Sequence, residues 1–271
     1  MITLIAHAKI NLFLDITGKR ADGYHLLETV MQSVDLADIV TVELAGTNIE
    51  ISCSDPTVPD DERNTCHKAA RLFYTLLGSH GGAEITLDKR IPHGAGLGGG
   101  SADAAAVLTG LNILHGNPFD EQTMLKLAVK VGADVPFCMV GGTKLCKGIG
   151  NIMSKEKPYP VRCFLVVKPS FGFNTKAAYE SYDVTMIKRR ERHANEYYNV
   201  FRAIYKNKEL DAIVDRLAEL GAEGAELTGS GSAVFGAFQS IEDASDAAKK
   251  FPSCFTAVCR PAERGIIQLK V

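Results

Sequence analysis

The sequence predicts an α+β protein of two lobes. Three observations carry that prediction. Apolar residues alternate with a period of two through most of the first ninety positions, helical spacing takes over after Gly100, and a polar, proline-bearing stretch divides the chain near residue 155.

Taken in order, Ile10, Leu12, Leu14 and Ile16 alternate with Asn11, Phe13 and Asp15, the pattern of a half-buried strand. Asp22-Gly23 is a turn signal and a new apolar stretch opens at Leu26, which together predict a β-ribbon. Val40, Val42 and Leu44, then Ile49, Ile51 and Cys53, repeat the alternation, and Ile85 and Leu87 lead into Lys89 and Ile91 as a further strand. One helix interrupts them: Ala69, Leu72, Phe73, Leu76 and Leu77 share a face, and Gly78 supplies the stop. A second helix is expected from Ser101 through Leu114 to Gly116, and a third over Glu121 to Val131 with Asp120 as N-cap. Ser154 to Pro160 is the linker. Beyond it, Phe164 to Val167 reads as a strand, and helices follow from Thr175, Ala194 and Glu209. Ser232 to Phe238, Phe255 to Val258 and Ile266 to Leu269 read as strands around a helix near Ala244 to Phe251. The expected lobes are residues 1–155 and 156–271.

Bulk properties narrow the function. The 271 residues suffice for a real core and a cleft between lobes, with 46% hydrophobic and 23% charged residues as in ordinary globular proteins. A net charge of −2 and a pI near 6.4 remove the electrostatic case for nucleic-acid binding. The seven cysteines are scattered and form no Cys-x-x-Cys pair, so they suggest free thiols in a reducing cytoplasm rather than zinc or disulfides. The first fourteen residues carry Lys9 and Asn11 and read as strand rather than signal peptide, and no apolar run reaches the ~18 residues of a membrane span. A cytoplasmic protein without membrane partners is expected.

The most informative stretch is Pro92-His93-Gly94-Ala95-Gly96-Leu97-Gly98-Gly99-Gly100-Ser101-Ala102. It follows a strand pattern and precedes a helix pattern. Glycines let a backbone approach a polyphosphate without Cβ clashes, and the next helix adds unpaired N–H groups and the positive end of its dipole. Ser101, expected at the N-cap, can bond a phosphate oxygen or hold a magnesium ion. A flexible linker is the alternative, but linkers seldom join a strand to an alanine-rich helix. No Gly-Lys-Ser/Thr closes the loop, so it is not a Walker A motif.

At this loop the sequence resembles the GHMP kinases, whose central motif Pro-x-x-x-Gly-Leu-Gly-small-Ser-Ala/Ser is matched by Pro92 to Ala102. Two further motifs of that superfamily stand in the right order, at Ala8-Lys9-Ile10-Asn11-Leu12 and at Leu227-Thr228-Gly229-Ser230-Gly231-Ser232-Ala233-Val234-Phe235-Gly236. Gly98 to Gly100, Ala8 to Leu14 followed by Arg20-Ala21-Asp22-Gly23-Tyr24-His25, and Gly132-Ala133-Asp134-Val135-Pro136-Phe137 are similar to the branch acting on 4-diphosphocytidyl-2-C-methyl-D-erythritol in the non-mevalonate isoprenoid route. The resemblance implies a lobe like ribosomal protein S5 domain 2, a ferredoxin-like second lobe, and an active site between them. It also implies ATP with Mg2+, a cytidine-diphosphate sugar alcohol as acceptor, and a monomer or homodimer.

Residue roles follow from the resemblance, each beside a plainer reading. Asp134 is expected as the base near the attacking hydroxyl; otherwise it is an N-cap. Lys9, flanked by apolar residues, needs a charged partner if buried, and the family pairs it with the aspartate; otherwise it is a strand-edge lysine. Pro92, Gly94, Ala95, Gly96, Leu97, Gly98, Gly99, Gly100, Ser101 and Ala102 are expected to bind ATP. Asn11, Tyr24, His25, Tyr179, Thr228 and Gly229 are expected on the substrate side. There Tyr24 and Tyr179 would sandwich the pyrimidine and His25 would bond its edge, with Phe173 close enough to compete for Tyr179's role. Tyr24-His25 and Thr228 to Gly231 are otherwise simple turns. His93 is expected to face outward.

Three departures from the pattern bear on the acceptor: Ala102 in place of a second serine, Asn151 after Gly148-Ile149-Gly150, and Val200-Phe201-Arg202 after Asn199. The competing readings are a related kinase for another small alcohol and a non-catalytic nucleotide-binding module. An RNA-binding protein is disfavoured by the acidic pI.

Overall fold

The computed structural model describes residues 1–185 and 187–270; residues 186 and 271, both within the expected second lobe, lie outside that set. The chain opens with two long antiparallel strands, β1 (Ile2–Lys19) and β2 (His25–Leu44), joined by a turn at residues 20–24. The apolar stretches expected separately at Leu26 and Val40 belong to this one strand. Arg20 N–H donates to the Tyr24 carbonyl at 2.8 Å, and Gly23 takes φ +90°. Next in the chain are β3 (Ile49–Cys53), α1 (Thr65–Leu77), β4 (Ala83–Asp88), α2 (Gly99–Leu114), α3 (Glu121–Val131), α4 (Val135–Val140), β5 (Thr143–Gly148) and β6 (Ile152–Lys155). Then come β7 (Cys163–Lys168), α5 (Thr175–Thr185), β8 (Tyr198–Asn199), α6 (Val200–Tyr205) and α7 (Lys208–Glu219). The chain closes with β9 (Gly224–Leu227), β10 (Val234–Phe238), α8 (Ile241–Ala248), β11 (Phe255–Cys259), β12 (Pro261–Ala262) and β13 (Ile266–Gln268).

Among the described residues these strands form two sheets. The larger runs β13-β1-β2-β4-β3, with β5, β6, β8 and β12 attached beside it; the smaller runs β11-β7-β10-β9. Local chemistry sets the helix ends as the sequence suggests. Asn64 caps α1 through the Cys66 N–H and Gly78 ends it at φ +68°, while Asp120 caps α3 through Thr123 N–H.

The first strand departs from expectation. It is buried on both faces, every residue from Ala6 to Ile16 included, rather than on one. Register shifts between His7 and Ala8 and between Asn11 and Phe13 break its alternation. Leu4 and Ala6 pack under α1–α4 with Phe73, Leu108 and Phe137, whereas Ile10, Leu12 and Phe13 meet the second sheet. Strand β7 shows the complementary split. Cys163, Leu165 and Val167 face α7 and α8, and Phe164 and Val166 face β1 and β2. The two sheets therefore share an apolar core.

Two helix starts are also corrected. α2 begins at Gly99 with Gly98 in the N-cap position, so Ser101 lies inside the first turn rather than capping it. The helix expected at Ala194 begins instead at Val200, where Asn199 accepts the Phe201 N–H. The short elements α4, β5, β6 and β9 had no periodicity long enough to show. The chain also returns after the second sheet: β12 pairs with β2 and β13 with β1.

Candidate active site

The loop from β4 to α2 alternates in direction. Ala95 and Leu97 insert into the interlobe core, while Gly94, Gly96 and Gly98 line a cavity of about 210 Å3. Three bonds from other elements hold it: Lys9 N–H to the Leu97 carbonyl at 2.9 Å, Ala233 N–H to the Ala95 carbonyl at 3.1 Å, and the Thr228 hydroxyl to the Gly96 carbonyl at 3.3 Å. Gly98 takes φ +73°, and a Cβ there would sit 2.9 Å from Lys9 Cγ. Ser101 and Ala102 N–H both donate to the Gly98 carbonyl, at 3.0 and 2.9 Å, so the Gly99 and Gly100 N–H groups are the ones without an intrahelical acceptor, and the helix presents them and a positive dipole end at this loop. Pro92 is half-buried at the loop's start, and His93 is exposed as expected.

Beneath the loop lies a charge cluster that sequence reasoning missed. Asp38 accepts the Arg90 and Ile91 N–H groups at 2.5 and 2.8 Å and contacts the Lys89 ammonium, which also reaches Asp103 Oδ2 at 2.6 Å. Asp103 Oδ1 is buried with no partner among the described residues. Burial pushes the Asp103 carboxyl up to about 7 against the pull of Lys89. Burial disfavours the Lys89 charge, but the Asp103 and Asp38 carboxylates outweigh it and raise that pKa above its usual value.

Lys9 is 4% exposed. Its ammonium donates to Asn11 Oδ1 at 2.7 Å and lies 3.4 Å from Asp134 Oδ2. Asn11 is held on all sides: Nδ2 donates to Thr29 Oγ1 at 2.9 Å and its N–H donates to Thr228 Oγ1 at 3.0 Å. Its side-chain oxygen is thus committed to Lys9. Asp134 occupies the N-cap position of α4 but makes no capping bond, which favours the ion-pair role over the N-cap reading. Its side chain is 33% exposed.

From the second lobe, the β9–β10 turn brings Gly229 against Lys9, where a Cβ would lie 3.3 Å from Nζ. Asn199 holds that turn by donating to the Leu227 and Gly229 carbonyls, both at 2.8 Å. Thr175 shares a 2.7 Å hydrogen bond with Ser230. Neither Asn199 nor Thr175 was among the expected site residues.

A second cavity of about 800 Å3 adjoins the first, lined by Tyr24, His25, Ser101, Asp134, Tyr179 and Asp183. Leu27, Asp134, Thr175 and Tyr179 line both. Asp134 therefore stands at the junction. At the outer end, His25 stacks on Tyr179 with centroids 4.7 Å apart and planes at 23°. Tyr24 is 60% exposed at the turn tip and faces no aromatic ring among the described residues. Phe173 stacks on Tyr205 at 4.0 Å, leaving Tyr179 as the ring opposite the β1–β2 turn.

Of the departures in sequence, Phe201 lines the inner cavity, whereas the side chains of Arg202, Ala102 and Asn151 are engaged elsewhere. Arg202 turns to Asp211 at 3.0 Å and Glu226 at 3.6 Å. Ala102 is buried in the first-lobe core. Asn151 accepts the Ile149 N–H at 3.3 Å within the β5–β6 turn.

Family models for the GHMP kinases match the chain twice, the N-terminal domain over residues 64–142 and the C-terminal domain over 187–257. A 4-diphosphocytidyl-2-C-methyl-D-erythritol kinase from Clostridium botulinum (strain Eklund 17B / Type B) is 42% identical over 253 residues, covering 87% of this chain and 90% of the relative. The chain belongs to the GHMP kinases. Another such kinase, from Clostridium tetani, is 39% identical over 270 residues, with 93% and 96% covered. A solved 4-(cytidine 5'-diphospho)-2C-methyl-D-erythritol kinase superposes on this GHMP kinase with a TM-score of 0.80 at 30% identity, over 96% and 100% of the two chains. The Methanococcus jannaschii mevalonate kinase, at 16% identity and a TM-score of 0.72 over 96% and 98%, shares the fold. The two-lobed fold expected from sequence is thus the one observed. No helix among the described residues is long and apolar enough to cross a membrane.

Proposed function

We propose that this GHMP kinase transfers the γ-phosphoryl group of ATP to a hydroxyl of 4-diphosphocytidyl-2-C-methyl-D-erythritol, with Asp134 as base and Lys9 as its charge partner. The observation that carries the reading is the Lys9–Asp134 pair at the junction of the two cavities. On one side of it lie the glycine loop and the α2 N-terminus, suited to polyphosphate. On the other lies a larger cleft with His25 and Tyr179, suited to a nucleotide-bearing acceptor. Relatives about 40% identical across nearly the whole chain carry that activity in their names.

Phosphoryl transfer needs positioning and charge stabilisation more than covalent chemistry. The Lys9 ammonium stabilises an ionised Asp134, which takes the acceptor's proton as its oxygen attacks. The same side chain runs with its stem against Gly98 and its ammonium against Gly229, so the charge also faces the transferring phosphoryl group. Were magnesium bound with the ATP phosphates as part of the substrate, the Ser101 hydroxyl, which lines the outer cavity, would be the side chain to hold it, and the ion would supply charge neutralisation. Asn11 and Thr228 act through Lys9 and the glycine loop. Residues 1–155 supply the nucleotide side and 156–271 the wall opposite. The seven free cysteines suit a reducing cytoplasm, with the chain acting as a monomer or homodimer.

An ADP-release assay with MgATP and the cytidyl acceptor tests this. Asp134→Asn should lower kcat by about 10²–10⁴-fold while leaving ATP affinity within a factor of about two. Undiminished turnover in that variant would remove Asp134 as base. A wild type that binds ATP but ignores this acceptor would remove the substrate.

A further inference from the structure

Lys9 and Asp134 stand on different elements, and one residue near the end of the chain touches both. Lys9 lies on β1, and Asp134 heads α4, a helix of six residues. So short a helix has little stability of its own, and its place is set by what packs on it. Its first turn closes with the Cys138 N–H on the Asp134 carbonyl at 3.0 Å. The stretch between β12 and β13 crosses against that turn. A Cβ on Gly265 would overlap the Cys138 carbonyl, and one on Gly141, which ends α4, would overlap the Gly265 nitrogen. Glycine on both sides lets backbone lie on backbone. Gly265 N–H donates to the Val140 carbonyl at 3.4 Å, and the Gly265 carbonyl accepts the His7 N–H at 2.9 Å. His7, two residues before Lys9 on β1, is 7% exposed. Its Nδ1–H donates to the Arg264 carbonyl at 2.7 Å, because a carbonyl only accepts. On the side of β1 away from β2, the next N–H, that of Lys9, goes to the Leu97 carbonyl at 2.9 Å. The crossing therefore ends where the glycine loop begins.

We infer that Gly265, pinned by His7, is a positioning residue for the Lys9–Asp134 pair. The inference rests on the kinase reading above and names what sets the distance within its reacting centre. Gly265 holds the Lys9 strand through its carbonyl and the Asp134 helix through its N–H and its bare Cα. The 3.4 Å separation of Lys9 Nζ and Asp134 Oδ2 thus depends on the chain's return to the first sheet. A methyl group at position 265 has two ways out. Either α4 moves off and takes Asp134 from Lys9, or the crossing lifts and gives up its bonds to His7. The crossing is tied on both flanks, by β12 on β2 and β13 on β1, and by the His7 ring between them. Helix α4 is held by side-chain packing of Val135, Phe137 and Cys138. Packed helices slide by about 1–2 Å more readily than paired strands part, so α4 is the piece that yields.

Crystal structures and steady-state kinetics of the full-length wild type, Gly265→Ala, His7→Leu and His7→Asn test this. In Gly265→Ala the Nζ–Oδ2 separation should lengthen by about an ångström and kcat should fall on the order of 100-fold. KM for MgATP and for the cytidyl acceptor should stay within about twofold, because neither binding surface is touched. His7→Leu removes the ring donor and should lower kcat about tenfold. His7→Asn keeps an amide N–H near the Nδ1 position and should restore most of that loss. Melting curves check folding, and the two His7 variants decide the matter should Gly265→Ala not fold. A folded Gly265→Ala with the wild-type separation overturns the inference, however far its Tm falls. So does a His7→Asn as slow as His7→Leu. A lengthened separation with undiminished turnover upholds the placement and instead removes the pair from the mechanism. Should the wild type ignore the cytidyl acceptor, the acceptor assignment falls, and the separations alone uphold or overturn the inference.

Discussion

Lys9 reaches Asp134 because the residues around its stem have no side chains to block it. Gly98 lies where a methyl group would come within 2.9 Å of Lys9 Cγ, and its φ of +73° is one that L-residues rarely adopt. Gly98→Ala therefore combines backbone strain of about 1–2 kcal/mol with displacement of the lysine. A misplacement of the order of an ångström lowers rate on the order of 100-fold, so kcat should fall by about that much while the protein still folds. Steady-state kinetics alongside a melting curve would check it, and near-normal kcat in a folded variant would show that the lysine stem can shift without loss. The same scale explains why Arg202 is compatible with the site. Its guanidinium is spent on Asp211 and Glu226, whereas the neighbouring Phe201 lines the inner cavity.

Helix α2 is the element that suits the glycine loop to the proposed phosphate binding, and its first turn is tethered from below. Asp38 anchors the loop's entry through two backbone N–H groups, and Lys89 ties that carboxylate to Asp103 inside the helix. Two carboxylates share one ammonium, and Asp103 Oδ1 has no partner, so burial raises the Asp103 pKa from 3.8 to about 7. A carboxyl whose folded pKa is raised binds its proton more tightly in the folded state. Its contribution to stability is thus fully present below pH 3.8 and is lost as pH rises toward about 7. Asp103→Asn removes that titration. The wild type minus Asp103→Asn difference in urea stability should fall across this window; a flat difference would contradict the assignment. Glu226, also pushed up to about 7 by burial, is present in both proteins and cancels.

At the scale of the molecule, the cleft keeps its shape because the two lobes meet through packed side chains rather than a hinge. Phe164, Val166, Phe235 and Ala237 of one sheet lie against Ile10, Leu12, Val30 and Val34 of the other, with Ala95 and Leu97 of the glycine loop between them. Strands β12 and β13 then carry the chain back onto the first sheet. Phe235 is fully buried and meets Phe164 and Tyr197 edge-on, both at 5.8 Å. Phe235→Ala should cost about 3–5 kcal/mol, and chemical denaturation should remain a single transition for the whole chain. Separate melting of the lobes would show that the shared core does not couple them.

What the sequence determined by itself lies in contiguous segments whose chemistry shows locally. Alternation, caps and the glycine stop placed α1, α3 and most strands, because those signals act over one or two turns of backbone. The loop at residues 92–102 was legible for the same reason, since strand, glycines and helix follow without a break. Lys9 and Asp134 stood out as charged residues in apolar or rigid surroundings, and the motif order linked them. Tertiary structure alone decided which distant groups meet. His25 and Asp183 are 158 positions apart, Lys89 and Asp38 are 51 apart, and Asn199 holds carbonyls 28 and 30 positions away. It also decided that β1 is buried on both faces, since the second layer comes from strands β7 and β10, more than a hundred residues later. Local spacing records the faces a segment can offer. Which partner covers each face is set by the packing of the whole chain.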